Sequence, residues 1–324
     1  MRSRPRQRRS SGFFGGDARS DSSDVAVSLW KFWGPRYWRV WLFIAWLRIV
    51  ACLPWRQSIA LHKWLGRQLG ARSRSRMKLV RSNLELCFPE LSSRERDEIA
   101  ADFAANMGAV VAEIAMAWFA SGKRLRTLVE VEGIEHLERA LAKGKGVILA
   151  AGHFTPFEIC GPVIKDYVPR YTLVYNKRRS RLLNEIQRRR RERYADETYP
   201  KGAVRAIVRS LRNNGAVWFA ADESFSEQSA ARIEFFGAPV LMSTATARLA
   251  RLSGAEVVPL HFRRRSDESG YIIEFEPALE DFPTDDVVQD TKRMVSILEN
   301  AIRRCPAQYF WSQRRFREEH ASAR

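Results

Sequence analysis

Residues 146–158 read Gly-Val-Ile-Leu-Ala-Ala-Gly-His-Phe-Thr-Pro-Phe-Glu, and they are the clearest indication of the fold class. Consecutive apolar residues between two glycines are typical of a strand that is buried on both faces of a sheet. The strand ends at Gly152 and is followed directly by His153, with Glu158 at the start of a predicted helix. Side chains that follow such strands gather at the carboxyl edge of an α/β sheet, so the segment predicts both the fold class and the place of a site.

Further apolar runs follow this strand and alternate with stretches of helical periodicity. Strands are predicted at residues 171–175, 217–221, 257–261 and 271–275. Helices are predicted around residues 181–193, 203–211, 244–252 and 287–302. This alternation predicts an α/β domain over residues 129–317, with a central mixed sheet flanked by helices. Residues 57–128 read as a helical lead-in, in which Ser92 and Glu95 form a capping-box pattern.

An apolar segment rich in tryptophan precedes the lead-in and is predicted to anchor the chain to a membrane. Residues 26–56 hold six of the ten tryptophans, which are Trp30, Trp33, Trp38, Trp41, Trp46 and Trp55. The apolar run at residues 40–53 is interrupted by Arg48, whereas spanning a bilayer takes about 20 mostly apolar residues. A span over residues 37–55, a helix lying on the membrane and a buried amphipathic helix are the alternatives. Residues 1–25 are predicted to be a disordered basic tail, and residues 318–324 a second tail.

The net charge of the chain indicates which kinds of partner it can bind. There are 55 lysines and arginines against 37 aspartates and glutamates, a net charge of +18. Such a charge favours a polyanionic partner: nucleic acid, anionic lipid or an acidic carrier protein. No zinc-finger, helix-turn-helix or RNP-type pattern is present, and the tryptophans cluster in one apolar segment, so we expect no nucleic acid partner. The four cysteines are scattered, with no CxxC and no clustered histidines, which argues against a zinc site and against a disulfide framework and favours a reducing compartment.

His153 and Glu158 have the residue types of a general base pair. A carboxylate that meets the imidazole across the turn would fix its tautomer, while the other ring nitrogen removes a proton. Taken alone, the spacing is common, and a histidine in a loop beside an unrelated glutamate is the plainer interpretation. Cys160 lies close by and could be an acyl-enzyme nucleophile, but its position on the predicted helix favours a buried structural thiol.

The sequence around this pair favours the general base pair over the plainer interpretation, because four blocks occur in a recognisable order. They are residues 152–158, Asp222, residues 235–239 with 244–250, and residues 306–311 with 314–316. Together they resemble the lipid A biosynthesis acyltransferases, the late lauroyl/myristoyl transferase family of Gram-negative bacteria. The resemblance extends over roughly residues 30–317 and includes residues 83–90 of the lead-in.

This resemblance implies the α/β fold of the glycerolipid acyltransferases and transfer of an acyl chain to a hydroxyl of a lipid A precursor. It implies an acyl carrier protein thioester as donor, no cofactor besides this co-substrate, and an anionic lipid acceptor at the cytoplasmic face of the bacterial inner membrane. A monomer is expected. The alternative is an acyltransferase of the same superfamily that acts on another glycolipid or an aminolipid, with acyl-CoA as donor.

The resemblance also assigns roles to residues. His153 matches the family's base and Glu158 its orienting carboxylate. Counting back from Asp222 places the functional arginine at Arg191, with Arg193 as the alternative, and Asp222 is expected to hold Arg191 by an ion pair. The residues expected to contact substrate are Arg193, Phe157, Phe236, Arg314 and Arg315.

Overall fold

The computed structural model describes residues 28–176, 180–222 and 230–316, and the predicted tails at residues 1–25 and 318–324 lie outside these ranges. The α-helices are α1 Trp38–Cys52, α2 Trp55–Arg72, α3 Arg74–Cys87, α4 Ser93–Phe119, α5 Gly122–Arg126, α6 Ile134–Ala142, α7 Phe157–Ile164, α8 Arg181–Arg191, α9 Val204–Arg212, α10 Ala245–Ser253 and α11 Val287–Arg304. The strands are β1 Val129–Glu132, β2 Val147–Ala151, β3 Tyr171–Tyr175, β4 Glu197–Pro200, β5 Ala216–Ala220, β6 Ala230–Phe235, β7 Ala238–Ser243, β8 Glu256–Arg264 and β9 Tyr271–Phe275.

Seven of these strands form one sheet in the order β1-β9-β8-β2-β5-β3-β4. Neighbouring strands are parallel apart from β8 and β9, which are antiparallel. The predicted fold class, a mixed sheet flanked by helices, is therefore confirmed. β2 lies between β8 and β5, where both faces of a strand are covered, and this explains its uninterrupted apolar sequence.

Alternate side chains of β2 point into two separate cores. Val147 and Leu149 belong to the larger core, together with buried residues of α1–α4, α7 and α8. Ile148 and Ala150 belong to the smaller core, together with buried residues of α9 and α10. The helices therefore form two layers on opposite faces of the sheet, which we name the lead-in layer (α1–α4, α7 and α8) and the α9–α10 layer.

Helix α4 is the centre of the lead-in layer. It begins with the predicted capping box, since Ser92 Oγ accepts from Glu95 N at 3.3 Å and the Glu95 carboxylate accepts from Ser92 N at 2.7 Å. Its crossing with α2 requires glycine, because a Cβ on Gly108 would lie 2.0 Å from the carbonyl oxygen of His62. Within the described residues, α4 is also the helix whose length and composition would suit a membrane span, but 56% of the apolar window is buried inside the protein.

Helix α1 contains three of the six tryptophans of the predicted anchor segment and is part of the folded structure. Its 15 residues measure about 22 Å, shorter than the ~30 Å hydrocarbon core of a bilayer. Leu47 and Val50 are buried against the lead-in layer. Arg124 donates to the carbonyl oxygens of Ala51 and Leu53 at 2.7 and 2.8 Å, which ties the end of α1 to α5.

The same region exposes many large apolar side chains, which we name the tryptophan surface. Its members, each at least 39% exposed, are Trp30, Trp33, Trp38, Leu42, Phe43, Trp46, Ile49, Leu61, Trp64 and Leu69. The surface therefore extends beyond the predicted anchor segment onto α2. Soluble monomers rarely expose apolar patches of this kind, which mark interaction sites for membranes or proteins.

The hairpin β6–β7 was not predicted from the sequence. Its two-residue turn is Phe236-Gly237, and both residues have positive φ, 53° and 77°. Such a turn matches the right-handed twist of the flanking strands.

Candidate active site

The site lies at the carboxyl edge of the sheet, after two adjacent parallel strands. β2 ends at Ala151, which pairs with Ala220 at the end of β5. The chain then delivers His153 from the first strand and Asp222 from the second. Gly152, which joins β2 to His153, is closely packed: a Cβ there would lie 2.4 Å from Leu298 Cδ1, so the Leu298 side chain would have to move.

Asp222 holds the imidazole of His153. The two groups are 2.5 Å apart between His153 Nδ1 and Asp222 Oδ1, and Asp222 Oδ2 accepts from the backbone N–H of His153 at 2.9 Å. With Nδ1 donating to the carboxylate, Nε2 is the nitrogen that can accept a proton from a bound substrate. This is the geometry of a histidine base with an orienting carboxylate.

Two residues near the C-terminus complete the surroundings of Asp222. Tyr309 donates its hydroxyl to Asp222 Oδ2 at 2.9 Å, and Arg315 donates a guanidinium N–H to the same oxygen at 2.7 Å. Arg315 also donates to the backbone carbonyl oxygen of Asp222. The carboxylate therefore accepts from three different side chains while its own side chain is fully buried.

These partners keep the Asp222 carboxyl group ionised. Burial by itself would raise the pKa of the carboxyl, but the charges of His153 and Arg315 and the hydrogen bonds from His153 outweigh it. The pKa of Asp222 therefore lies well below its ordinary value, and the group is ionised at any physiological pH. An ionised carboxylate at Nδ1 stabilises the imidazolium that forms when Nε2 takes a proton.

Glu158 pairs with Arg191, whereas the sequence predicts His153 as its partner. Its Oε2 accepts from Arg191 Nη2 at 2.5 Å, its Oε1 accepts from Arg191 Nε at 3.2 Å, and Oε1 also accepts from Trp118 Nε1 at 3.0 Å. Both members of the pair are buried. Burial alone would lower the pKa of Arg191, but the adjacent Glu158 raises it above its ordinary value, so the guanidinium keeps its charge.

Two contacts predicted for the site are thus corrected. The carboxylate that orients His153 is Asp222, not Glu158, and the arginine on Asp222 is Arg315, not Arg191. The reason is topological: the short spacing in HxxxxE suggested contact across a turn, whereas the neighbouring strands β2 and β5 bring together residues 69 positions apart.

His153 and Arg191 both line an open cleft of about 250 Å³ at this edge of the sheet. Phe157 lies in the wall and stacks on Trp218, with ring centroids 5.8 Å apart. The Arg191 guanidinium lies 5.8 Å from the centroid of the Phe157 ring. The cleft therefore combines a base, a positive charge and an aromatic wall, a combination suited to a substrate with an apolar chain and a polar reacting group.

The segment at residues 307–316 closes one side of the site. Its backbone pairs with the loop after β2, since Thr155 N donates to Gln308 O at 2.8 Å and Phe310 N donates to His153 O at 3.0 Å. Asn83 of α3 holds the segment from outside by donating to the Trp311 carbonyl oxygen at 2.7 Å. This contact joins the lead-in to the segment beside the base, although Asn83 lies far from both in sequence.

The other predicted substrate residues lie in different surroundings. Phe236 is buried in an aromatic cluster with Phe88, at a centroid distance of 5.0 Å, and it does not line the cleft. Arg315 is engaged by Asp222, Arg314 is exposed, and Arg193 donates to the Trp118 carbonyl oxygen at 3.0 Å.

Two site residues were missed from the sequence. Tyr309 belongs to the block at residues 306–311, but no role is predicted for it. The feature that could have identified it is its place in the aromatic run at residues 309–311. Trp118 lies in the last turn of the long helix α4 and offers no local signal, since an aromatic residue at that position is equally expected in a core. Among residues 28–176, 180–222 and 230–316, no cluster of His, Cys, Asp and Glu has the arrangement of a metal site.

Comparison with known proteins identifies the relatives of this chain. The family model "Bacterial lipid A biosynthesis acyltransferase" matches residues 27–318. The chain is 34% identical over 292 residues to the lipid A biosynthesis palmitoleoyltransferase of Escherichia coli (strain K12), covering 89% of this chain and 94% of that protein. It is 31% identical over 284 residues to the lipid A biosynthesis lauroyltransferase of the same organism, covering 87% and 92%.

Among solved structures, the chain is similar to the 1-acyl-sn-glycerophosphate acyltransferase PlsC of Thermotoga maritima. The TM-score is 0.37 at 13% identity, covering 72% of this chain and 98% of that chain. This overlap is too loose to support any inference about the site.

Proposed function

Because the chain belongs to the bacterial lipid A biosynthesis acyltransferases, we propose that it transfers a fatty acyl chain from an acyl carrier protein thioester to a hydroxyl of a lipid A precursor. Its membership makes it an acyltransferase that acts in lipid A biosynthesis. The donor, the reacting residues and the cytoplasmic face of the inner membrane are parts of the proposal. The observation that carries it is the His153–Asp222 pair at the wall of an open cleft.

The base acts on the acceptor. A thioester is already activated, so the reaction needs a group that takes the proton of the acceptor hydroxyl as its oxygen attacks the thioester carbonyl. His153 Nε2 takes this proton, and the ionised Asp222 at Nδ1 stabilises the resulting imidazolium. The proton then passes to the sulfur that leaves, which regenerates the neutral imidazole.

The positive charge of Arg191 acts on the donor or on the developing oxyanion. Its guanidinium lies in the cleft wall and is fixed by two hydrogen bonds to Glu158. A preorganised charge in a partly dry site stabilises negative charge better than mobile water does. The role proposed for Glu158 is therefore to position Arg191, while Trp118 Nε1 donates to Oε1 of the same carboxylate and helps to fix it.

Cys160 has no part in this mechanism. It is fully buried, and burial raises the pKa of its thiol well above the ordinary value, which disfavours the nucleophilic thiolate. We expect Cys160→Ala to keep most of the activity. Intact-mass measurement after incubation with donor alone should show no acyl adduct on the protein, and a trapped thioester on Cys160 would overturn direct transfer.

The tryptophan surface is proposed to dock the enzyme on the membrane that holds its acceptor. α1 is short for a span and is tied into the lead-in layer, which favours a helix lying in the interface over one that crosses. Tryptophan favours the headgroup level of a bilayer. Arg36, Arg39 and Arg56 lie in the same region and can reach anionic headgroups.

Two exposed residues of α1 test this docking. Leu42 and Ile49 are 70% and 59% exposed, so Leu42→Glu/Ile49→Glu should leave the fold intact and release the protein from anionic vesicles. The matched control is Leu252→Glu/Val288→Glu, which places the same charges on exposed apolar positions of α10 and α11. Vesicle co-sedimentation gives the readout. If Leu42→Glu/Ile49→Glu binds vesicles as well as the control variant does, the membrane-binding face lies elsewhere on the protein.

The proposed reaction is tested with purified protein, a lipid A precursor and acyl carrier protein loaded with a fatty acid. The product should gain the mass of one ester-linked acyl group, which mass spectrometry detects. If the protein acylates a different glycolipid or an aminolipid from acyl-CoA and leaves the lipid A precursor unchanged, the alternative acceptor and donor are correct.

A further inference from the structure

Helix α9 presents a purely basic outer face. Its inner face is buried in the smaller core through Ile207 and Leu211. Arg205, Arg209 and Arg212 follow the helical spacing i, i+4, i+7 and are all exposed, so they form one stripe, which we name the arginine face. The helix sequence contains no acidic residue.

The charges of the arginine face are not neutralised by nearby carboxylates. Within the described part of the chain, no carboxylate oxygen lies within 4.0 Å of a guanidinium nitrogen of these three arginines, and Arg212 donates to a backbone carbonyl oxygen. The acidic Glu197 on neighbouring β4 is occupied by Arg170 at 3.6 Å and by the Thr172 hydroxyl at 3.1 Å. The stripe is therefore available to an external anionic partner.

The arginine face begins at the mouth of the cleft. β4 ends at Pro200, and the next residue, Lys201, lines the cleft beside Arg191. α9 starts at Val204, so Arg205 lies in its first turn, only a few residues from the cleft wall. A partner bound along α9 can thus reach the reacting groups at the cleft with a flexible arm.

The position of α9 separates this surface from the membrane. The tryptophan surface belongs to the lead-in layer, whereas α9 covers the opposite face of the sheet. When the tryptophan surface lies on a bilayer, the arginine face points away from that bilayer. The charge then suits a soluble acidic partner and not the lipid headgroups that hold the acceptor.

We propose that the arginine face is the docking surface for the acidic carrier protein that supplies the acyl thioester. The inference rests on the proposed function, in which such a carrier is the donor. The carrier binds along α9 and passes its acyl arm into the cleft, while the acceptor enters from the membrane side. Basic residues at such a surface act chiefly on the rate of encounter, and the effect weakens with salt.

The experiment compares two donors with the same acyl chain, acyl carrier protein and acyl pantetheine, using detergent-dispersed acceptor. Arg205→Glu/Arg209→Glu/Arg212→Glu should raise KM for the carrier-bound donor by about tenfold or more and leave the rate with acyl pantetheine unchanged. The control, Arg74→Glu/Arg76→Glu/Lys78→Glu, reverses the same number of exposed charges on α3 and should not change either value.

The outcomes separate the docking surface from the reaction itself. An unchanged KM for the carrier in the α9 variant, with normal wild-type transfer, would overturn the docking surface and leave the function standing. A variant that loses vesicle binding with no change in KM would assign the arginine face to lipid, which also overturns the proposal. Wild-type protein that transfers from neither donor would contradict the proposed function.

Discussion

His153→Ala is expected to lower kcat by about 10²-fold to 10⁴-fold, the usual contribution of a positioned general base. The fold should not change, because His153 is at the cleft wall and Asp222 keeps its hydrogen bonds from Tyr309 and Arg315. Steady-state kinetics with the purified variant gives the rate, and the thermal unfolding midpoint shows that the protein is folded.

The matched control for this variant is His136→Ala on α6, a half-buried histidine that does not line the cleft. It should transfer acyl chains at the wild-type rate. If His153→Ala and His136→Ala are both close to wild type in kcat, the base is a different group and the mechanism fails.

Breaking the buried Glu158–Arg191 pair should strongly lower the free energy of unfolding. Glu158→Gln leaves a buried guanidinium without a counter-charge, and removal of one member of a buried ion pair typically costs about 3 to 5 kcal/mol. Arg191→Met should cost a similar amount, since it removes the guanidinium that donates two hydrogen bonds to the buried Glu158 carboxylate. Denaturant unfolding measures the free energy of unfolding of each variant.

The double variant Glu158→Gln/Arg191→Met tests whether the losses of stability come from breaking the ion pair. Its loss of stability should be smaller than the sum of the two single losses, because neither partner is then left charged and buried. Additive losses would contradict the pair. A Glu158→Gln variant with wild-type stability and a strongly reduced kcat would instead restore the interpretation in which Glu158 acts on His153.

The parts of the fold that could be predicted are those whose sequence reflects burial. β2, β3 and β9 were predicted with the same bounds that the structure gives, because each is a continuous apolar run in a covered sheet. β1 was missed because its sequence, Val-Glu-Val-Glu, is short and half-buried. β4 was missed for the same reason, since its residues are all half-buried.

The sequence was enough to predict where the site lies, but not which side chains contact each other there. The end of β2 identified His153, since a histidine after a buried strand stands at the carboxyl edge of the sheet. The partner of its Nδ1 depends on which strand lies beside β2, and the order β8-β2-β5 cannot be read from local sequence. The same holds for Tyr309 and Arg315, which reach Asp222 from about 90 residues away.

The most direct test of the proposed function is the mass of lipid A from cells that lack the gene for this protein. We predict that this lipid A lacks one ester-linked acyl chain, and that the wild-type gene restores the chain while the His153→Ala gene does not. Lipid A of unchanged mass in the deleted strain, together with the loss of an acyl chain from another glycolipid or an aminolipid, would contradict the proposed function.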